Sequence, residues 1–587
     1  MTRLAIATAL LTASLAHAAL SIMPLKDVKA GMHGTGKTVF SGSKIENFDV
    51  EILGILENTG PKESLILGRL SGGPLEHTGV MQGMSGSPVY IDGKLIGAVA
   101  MAFPYAKDPI AGIRPIEEML AVDASPVPAK STAQPNLAKL FVDGAGGIAA
   151  AFPLRSGAGT GDMRMTEVAT PLSLSGFSAG TVERFAPELQ KLGLEPRQGI
   201  STGGAPEDRM GDPSQLQPGS MISVELMTGD MSAGADGTLT CVDGTKAYAF
   251  GHRFLAVGPT SLPFTRSDVI ALLANVNTSF KISSARELMG VISNDRNTAI
   301  AGTLGQRAEM VPLEISMKDP KHSDTYHMKM VNDQFLSPYL LQMAIFSAID
   351  STQRATGATT VEVSGSIEFE NRKDPVELRN IYAADGGTAM QAAVGTAVPL
   401  AYLMQGGFDA LKVKRVVVNL TAADTKKELN IGQVYLSRKE ARPGDTIEVM
   451  TQLEGENGVE LTRSLKYTIP RGTAPGTLYF TVADGTQTGL AELKQLIMET
   501  PHSPEELIST VNRLRPGDKA YIRVWRAQAA YEVGGQELPD PPPSLALVLG
   551  STQNVAQNKN SRIAEITIDA GNVMVSGSKT VQIEVKE

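Results

Sequence analysis

The chain has 587 residues, of which 59 are glycine and 34 are proline, and only 5% are aromatic. This length exceeds one ordinary core and predicts three or four domains, while the many turn-forming residues favour short strands over long helices. The formal net charge of -9 is small for this size and comes with no basic block, which argues against nucleic acid and anionic membranes as partners. We therefore expect a mainly β protein.

The first residues have the pattern of an export signal. One arginine precedes an apolar run from Leu4 to Leu15, and a small-x-small step follows at residues 16–18. This pattern predicts a signal peptide over residues 1–18, and its apolar run is too short to span a membrane comfortably. A buried N-terminal helix is the alternative interpretation. The mature chain is expected to be exported, to the periplasm or the medium, without a membrane-spanning segment.

The cysteine and histidine content limits which disulfides and metal sites the chain can form. Cys241 is the only cysteine, so an internal disulfide and a thiol-based metal site are both excluded. The histidines after the signal show neither an HExxH motif nor paired-ligand spacing, which argues against zinc. They are His33, His77, His252, His322, His327 and His502. No metal and no cofactor is implied.

The first half of the mature chain divides into two predicted segments. Residues 19–121 contain short apolar runs ended by Gly, Asn or Pro, which is typical of a compact β unit. Residues 122–216 begin with a Pro-rich linker, carry helical spacing over Thr181 to Leu192 and end in a polar loop rich in Gly and Pro. We expect the second segment to be an insertion of α/β character.

The β pattern then returns and alternates with helices. Residues 217–320 contain further predicted strands, and residues 321–410 contain two helices flanking a strand. Residues 411–486 alternate with turn signals at the spacing of an immunoglobulin-like β-sandwich. Residues 487–587 are predicted to form a C-terminal α/β segment.

The stretch VMQGMSGSPVYIDGKLIGAV, residues 80–99, places a serine in a glycine-flanked turn. A serine hydroxyl needs a base to take its proton and donors to stabilise the oxyanion. Without a Cβ at Gly83, the backbone can turn so that the amides of Gly83 and Ser85 point to one spot. The hairpin that follows fits the turn of β-barrel peptidases, whereas the nucleophile elbow of α/β-hydrolases leads into a helix. A plain strand corner is the alternative.

A base for Ser85 is expected from another part of the chain. His252 follows the predicted strand KAYAF, and the glycine before it lets another backbone approach while the imidazole projects from the strand end. His77 is closer in sequence but lies in a polar loop, and His33 lies in a turn. A hydrogen-bonded structural histidine is the alternative for His252.

Two blocks around these residues resemble the SpoIVB-type serine peptidases. The first is the serine stretch with KIENFDVEILG before it and PIAGIRPIEEML after it; the second is GTLTCVDGTKAYAFGHRF followed by ELMGVISNDRNTAIAGTLG. The resemblance implies a chymotrypsin-like double β-barrel with Ser85 as nucleophile and His252 as general base. The serine half precedes the histidine half in this chain, so the resemblance implies a permuted order. Such an order requires that the insertion between the halves stay outside the cleft.

The acidic member of the triad has no counterpart where the resemblance places it, because Ser71 stands at that position. Asp268, in TRSDVIALL, is the first candidate for this role, and Asp49, Asp92 and Asp236 are weaker candidates. An orienting carboxylate is worth about four orders of magnitude in the chymotrypsin-type triad, so a Ser-His dyad would be slower.

The sequence thus predicts a permuted chymotrypsin-like double barrel with an inserted α/β segment and a C-terminal sandwich. Its predicted function is that of an exported serine endopeptidase that cleaves a protein or peptide substrate through an acyl-enzyme. The alternative is a catalytically inactive exported binding or scaffold protein that retains the peptidase fold.

Overall fold

A computed structural model describes most of the chain. The predicted signal peptide and almost all of the predicted linker lie outside the described residues. These residues are 20–103, 106–123, 157–158, 165–199, 209–352, 356–489, 503–528, 530–533, 536–539, 541–551, 556–558 and 560–587. The described part is mainly β, as predicted. None of its helices combines the length and the apolar character needed to cross a membrane.

The first barrel contains the serine stretch. Its strands are β1 His33–Ser41, β2 Lys44–Gly60, β3 Glu63–Ser71, β4 Pro88–Ile91, β5 Lys94–Ala102 and β6 Ile110–Pro115. They pair in the order β4-β1-β2-β3-β6-β5, and β5 pairs back with β4 to close the barrel. Alternation in β2 buries Phe48, Val50 and Ile52 and turns the residues between them outward. Two short helices, α1 Leu75–Thr78 and α2 Ile116–Leu120, accompany these strands.

The inserted segment joins both barrels. Its elements are β7 Gly157–Ala158, β8 Met165–Glu167, β9 Thr170–Ser175, α3 Ala179–Lys191 and β10 Leu194–Gln198. Strand β8 pairs with β5 of the first barrel, whereas β9 pairs with the second strand of the next barrel. The insertion therefore extends one sheet on each side of the junction between the barrels.

The second barrel contains His252 near one end. Its strands are β11 Met221–Gly229, β12 Ser232–Asp243, β13 Lys246–Ala249, β14 Gly258–Leu273, β15 Phe280–Arg296 and β16 Ala299–Leu304. They pair in the order β12-β13-β16-β15-β14-β11, and β11 pairs with β12 to close this barrel as well. Two closed barrels of six antiparallel strands are the architecture expected of a chymotrypsin-like core.

The second barrel continues outward into a larger sheet. The added elements are β17 Met310–Lys318, β18 Ser323–Val331, α4 Leu336–Asp350, β19 Thr356–Phe369, β20 Val376–Gly386, α5 Thr388–Gln405 and β21 Val413–Ala423. Strand β18 pairs with β11, so barrel and extension belong to one 13-stranded sheet, which also includes β9 and β10 of the insertion. Helices α4 and α5 are the two that the sequence predicts, and their apolar residues share one core with this sheet.

The C-terminal region is a two-layer β-sandwich with a small extra sheet. Its elements are β22 Glu428–Leu436, β23 Glu440–Ala441, β24 Thr446–Gly455, β25 Glu460–Thr468, β26 Gly476–Asp484, α6 Pro504–Asn512, β27 Lys519–Arg526, β28 Ala530–Val533, β29 Gln536–Pro539, α7 Pro543–Gly550, β30 Ala556–Asn558, β31 Ser561–Asp569, β32 Met574–Ser576 and β33 Ser578–Val585. One layer is β25-β24-β22-β32 and the other is β23-β33-β26-β27-β31. Both layers contribute to one apolar core.

The sandwich has different limits from those predicted. The predicted module at residues 411–486 includes β21, which belongs to the large sheet, and lacks the strands after residue 519 that complete the second layer. Alternation with a period of two is the same in every sheet that is buried on one face, so it does not reveal which sheet a strand joins.

Candidate active site

The serine stretch and the histidine block meet where the two barrels touch. Gly42 and Val269 exchange two backbone hydrogen bonds of 2.7 and 2.8 Å across the junction. Next to them, Gln82 donates to the Ser279 carbonyl and accepts from the Lys281 amide, at 2.9 and 3.2 Å. These backbone bonds fix the loop that leads into the serine turn against the second barrel.

The serine turn depends on two glycines with left-handed backbone. Gly83 has φ +88° and Gly86 has φ +92°, a region that side chains with a Cβ rarely adopt. Within the turn, the Gly86 amide donates to the Val99 carbonyl at 2.7 Å and the Ser87 amide donates to the Met84 carbonyl at 2.9 Å. The predicted nucleophile, Ser85, lies at the centre of this turn and is fully buried.

Two amides of the turn are left available. Among the described residues, none accepts a hydrogen bond from the amide of Gly83 or of Ser85, whereas the amides of Met84, Gly86 and Ser87 are all engaged. The Ser85 hydroxyl likewise has no hydrogen-bond partner in the described part of the chain. Buried donors are almost always satisfied, so a buried hydroxyl beside two unengaged amides is the arrangement expected of a site that binds an oxyanion.

Strand β12 of the second barrel holds the serine turn by its carbonyl groups. The Thr238 amide donates to the Ser85 carbonyl at 2.8 Å, and the Thr238 hydroxyl donates to the Gly83 carbonyl at 2.8 Å. The Thr240 hydroxyl donates to the Gly86 carbonyl at 2.7 Å. The turn is therefore built jointly by both barrels.

The same strand brings in the histidine. The Thr238 carbonyl accepts from the Phe250 amide at 3.3 Å, so the backbone of one threonine binds both the serine turn and the segment leading to His252. Phe250 has φ +70°, which is rare for a bulky residue and signals a backbone held by its surroundings. A Cβ on Gly86 would lie only 2.5 Å from the Phe250 amide nitrogen, which shows how closely the segments approach. The structure thus brings together the two segments that contain Ser85 and His252.

The imidazole of His252 is buried and oriented by a backbone carbonyl. Its Nδ1 lies 2.6 Å from the carbonyl oxygen of Arg253. Because a carbonyl only accepts, Nδ1 carries the proton in this contact, and Nε2 is left as the basic nitrogen. This contact selects the tautomer that a general base needs, a role that a carboxylate has in the usual triad.

Asp295 holds the loop after the histidine. Its buried carboxylate accepts from the amides of Phe254, Leu255 and Val257 at 2.8, 2.7 and 3.3 Å. Burial raises the pKa of Asp295 to about 6, against the opposing effect of these amides. Asp295 is not predictable from the sequence, because it lies in NDRN, which has the composition of an ordinary turn.

The candidates for an acidic triad member lie elsewhere. The Asp268 carboxylate accepts from Arg266 at 2.5 Å and from Arg286 at 2.8 Å, and no hydrogen bond among the described residues joins it to His252. Asp236 is buried and accepts from Ser173. The remaining positions considered from the sequence are all exposed on the first barrel: Asp49, Asp92, Ser71, His33 and His77.

A buried lysine lies beside the serine turn. Lys281 is 2% exposed, and its ammonium donates to the Thr38 hydroxyl at 2.7 Å. Ser87 donates to the same hydroxyl at 3.1 Å. Burial lowers the pKa of Lys281 to about 7, although nearby Asp236 opposes the shift. Lys281 is not predictable from the sequence either, since one lysine in the alternating strand KISSARE carries no local signal that it points inward.

The fold and the site define a class. Two closed six-stranded barrels with a glycine-flanked serine turn and a histidine loop at their junction are typical of chymotrypsin-like serine peptidases.

A comparison with protein families sharpens this class. The family model described as SpoIVB peptidase S55 matches residues 6–120. This match covers the serine-bearing part of the chain and confirms the resemblance to the SpoIVB-type serine peptidase family there. The match ends before the histidine block, so the permuted order of the halves stays a prediction. No curated protein and no solved structure matches the chain.

Proposed function

We propose that the protein is an exported serine endopeptidase in which Ser85 is the nucleophile and His252 the general base. The observation that carries the proposal is the threonine bridge at Thr238, whose backbone binds the serine turn on one side and the segment before the histidine on the other. Fixed relative position is the main requirement for such a pair, because proton transfer needs hydrogen-bond reach in the complex with substrate.

The chemistry follows from the groups at the site. Nε2 of His252 takes the hydroxyl proton while Ser85 Oγ attacks the peptide carbonyl carbon, and the new oxyanion accepts from the amides of Gly83 and Ser85. The same histidine then gives the proton to the leaving amine, so that the C–N bond breaks and an acyl-enzyme remains. Water, deprotonated by His252, hydrolyses the ester and restores the serine.

The substrate would be a protein or peptide in extended form. Ala100 directly follows Val99, whose carbonyl accepts from the serine turn, so the edge of β5 leads straight to Ser85. A peptide that adds to this edge as an antiparallel strand would deliver its carbonyl to the turn. No nucleic acid, metal or cofactor has a role in this proposal, and export rests on the predicted signal peptide.

The Arg253 carbonyl orients the imidazole of His252, as the carboxylate of a triad would, but it provides no negative charge. A carboxylate both fixes the tautomer and stabilises the imidazolium, whereas a neutral carbonyl does mainly the first. We therefore propose a slow peptidase. The inactive scaffold considered above is less favoured, because the family match falls on the serine turn itself.

A fluorophosphonate probe applied to the mature protein tests the assignment of the nucleophile. We expect covalent labelling that is lost in Ser85→Ala and in His252→Ala. Ser87→Ala is the matched control, since Ser87 lies in the same turn, is equally buried and contacts Thr38. Labelling that persists in Ser85→Ala would rule out this serine as the nucleophile.

A further inference from the structure

A segment of the insertion occupies the edge of β5 beside the serine turn. Glu167 pairs with Met101 and Thr166 pairs with Ala102, in antiparallel register. The pairing ends with the Val168 amide, which donates to the Ala100 carbonyl at 2.9 Å. The insertion was expected to stay outside the cleft, so this position corrects that expectation.

The direction of this segment is that of a bound substrate. From Met165 to Val168 the chain runs antiparallel to β5 and approaches the residue next to Val99, whose carbonyl binds the serine turn. Val168 is therefore the paired residue closest to the turn. Antiparallel addition to a sheet edge is how proteins bind extended peptides, and here the chain supplies the added strand itself.

A buried ion pair ties the segment to the histidine loop. The Glu167 carboxylate lies 3.5 Å from Nε of Arg253, and the side chains of both are almost fully buried. Arg253 is also the residue whose carbonyl orients His252. The segment thus contacts the elements that hold the nucleophile and the base.

The region around this segment combines closure with adjoining space. Ser85, His252 and Val168 are all buried, although a peptidase must admit its substrate to the first two. A cavity of about 400 Å³ lies alongside, lined by Thr166 and Val168 on one side and by Gln82 and Ala102 among others. Open space for peptide side chains therefore exists next to a closed catalytic pair.

We propose that residues 165–168 form an autoinhibitory strand that fills the substrate position on β5 and must leave before a substrate binds. This inference rests on the proposed peptidase function and adds regulation to it. The segment would act by competition, because one edge of β5 cannot pair with two strands at once.

Access to the nucleophile position tests the strand without requiring catalysis. We would introduce a thiol by Ser85→Cys and measure its rate of alkylation by iodoacetamide, with the unsubstituted protein as the blank for buried Cys241. Adding Val168→Pro removes the N–H that binds the Ala100 carbonyl. Losing a hydrogen bond of this kind should raise the alkylation rate about 10-fold. The control Thr166→Ala changes a half-buried side chain of the same strand, keeps every backbone N–H and should stay within about two-fold of the parent.

A second variant guards against misfolding. If circular dichroism shows that Val168→Pro does not fold, Glu167→Gln weakens the contact with Arg253 without changing the backbone, and the same acceleration is expected. Equal alkylation rates in the folded Pro or Gln variant and in the Ala control would overturn the proposal.

Labelling with the fluorophosphonate probe separates the two proposals. In protein that retains Ser85, Val168→Pro should accelerate labelling by a similar factor. Faster alkylation of the thiol without any Ser85-dependent labelling would support the proposal that the strand blocks access and would reject the peptidase function. Normal Ser85-dependent labelling that Val168→Pro does not accelerate would reject the strand alone.

Discussion

The two barrels differ in what they bury. Between residues 20 and 123, Arg114 is the one buried ionisable side chain among the described residues, and the other buried polar side chains are uncharged: Thr38, Gln82, Ser85 and Ser87. The second barrel buries many more ionisable groups, and several of them lie close to the serine turn or the histidine loop. They are Glu225, Asp236, His252, Arg253, Lys281, Glu287 and Asp295. The first barrel thus carries the serine turn on a core with few ionisable groups, whereas the second barrel buries several ionisable groups in its core.

Burial shifts four of these groups toward their neutral forms: Glu225, Asp236, Lys281 and Asp295. Burial is the largest cause of the raised pKa of Glu225, to about 7, and of Asp236, to about 6, as it is of the lowered pKa of Lys281. Ionised groups inside a protein are costly unless they are paired, so these groups reduce the stability of the second barrel near neutral pH. The serine half of the site is therefore supported by a core with few ionisable groups, and the histidine half by a core with several. The following variants test these two kinds of support separately.

The largest effect is expected at the contact between the barrels. In Gly86→Ala the new Cβ would overlap the Thr238 carbonyl, and the residue would have to keep a left-handed φ. We expect loss of labelling and destabilisation by about 3 kcal/mol or more. Gly93→Ala is the control, since Gly93 has φ +74° in the hairpin that follows the serine turn, with open space around it, and should cost about 1 kcal/mol. Thermal unfolding measures both, and similar losses would contradict the role of the contact.

The next effect concerns the support of the histidine in the second barrel. Asp295→Ala leaves three loop amides without their acceptor, and we expect a fall in the labelling rate of about 10- to 100-fold, on the order of 1–3 kcal/mol. Asp268→Ala is the matched control, because its carboxylate contacts arginines on the barrel surface, and its rate should stay within about two-fold of the unsubstituted protein. A severe loss in Asp268→Ala alone would instead favour Asp268 as the third catalytic residue.

The pH dependence of stability should also distinguish the two barrels, by a smaller effect. The pKa of Glu225 lies above its ordinary value, so its contribution to stability is complete below about pH 4.5 and is lost as the pH rises through about 7. Between pH 4.5 and pH 8, the free energy of unfolding of Glu225→Gln should therefore rise by on the order of 1–3 kcal/mol relative to that of the unsubstituted protein. Urea unfolding at the two pH values measures this difference. Glu57→Gln, on the exposed face of β2, should track the unsubstituted protein, and a Glu225→Gln variant that does so as well would refute the argument.

The smallest effect is expected from backbone strain. Ala256, in the histidine loop, has φ +57°, and Lys62, in a hairpin of the first barrel, has φ +62°. Replacing either residue with glycine relieves the strain of the left-handed backbone but makes the unfolded chain more flexible, which offsets part of the benefit. The free energy of unfolding should therefore rise by a net amount of about 0.5–1 kcal/mol. Similar gains in unfolding free energy would show that this strain is local in both barrels. A loss in Ala256→Gly would show that the methyl group contributes to the histidine loop.

The sequence predicted the parts of the site that are contiguous. The serine turn can be predicted from the sequence because its glycines, serines and proline follow one another. The hairpin after Ser85 also fits the turn of β-barrel peptidases. His252 could be selected because a strand and a glycine precede it. These features are local, so a single stretch of sequence contains the physical reason for them.

The parts that could not be predicted are distributed over distant strands. Asp295 lies far along the chain from the loop that it holds, and Lys281 reaches Thr38 of the other barrel. The acid at Asp268 was inferred from proximity in sequence, yet proximity along a strand does not decide which face a carboxylate points to. The limits of the sandwich were missed for the same reason, since pairing partners are not encoded in the alternation of one strand.

The sandwich has a consequence for the order in which the protein folds. Strands β32 and β33 come from residues 574–585, yet they pair with β22 and β26, which are made much earlier. During synthesis the first barrel has all its strands once β6 has emerged, whereas both layers of the sandwich stay incomplete until residues 574–585 have emerged. Unpaired strand edges attract other chains, so the sandwich is open to non-native pairing for a longer part of synthesis than the first barrel.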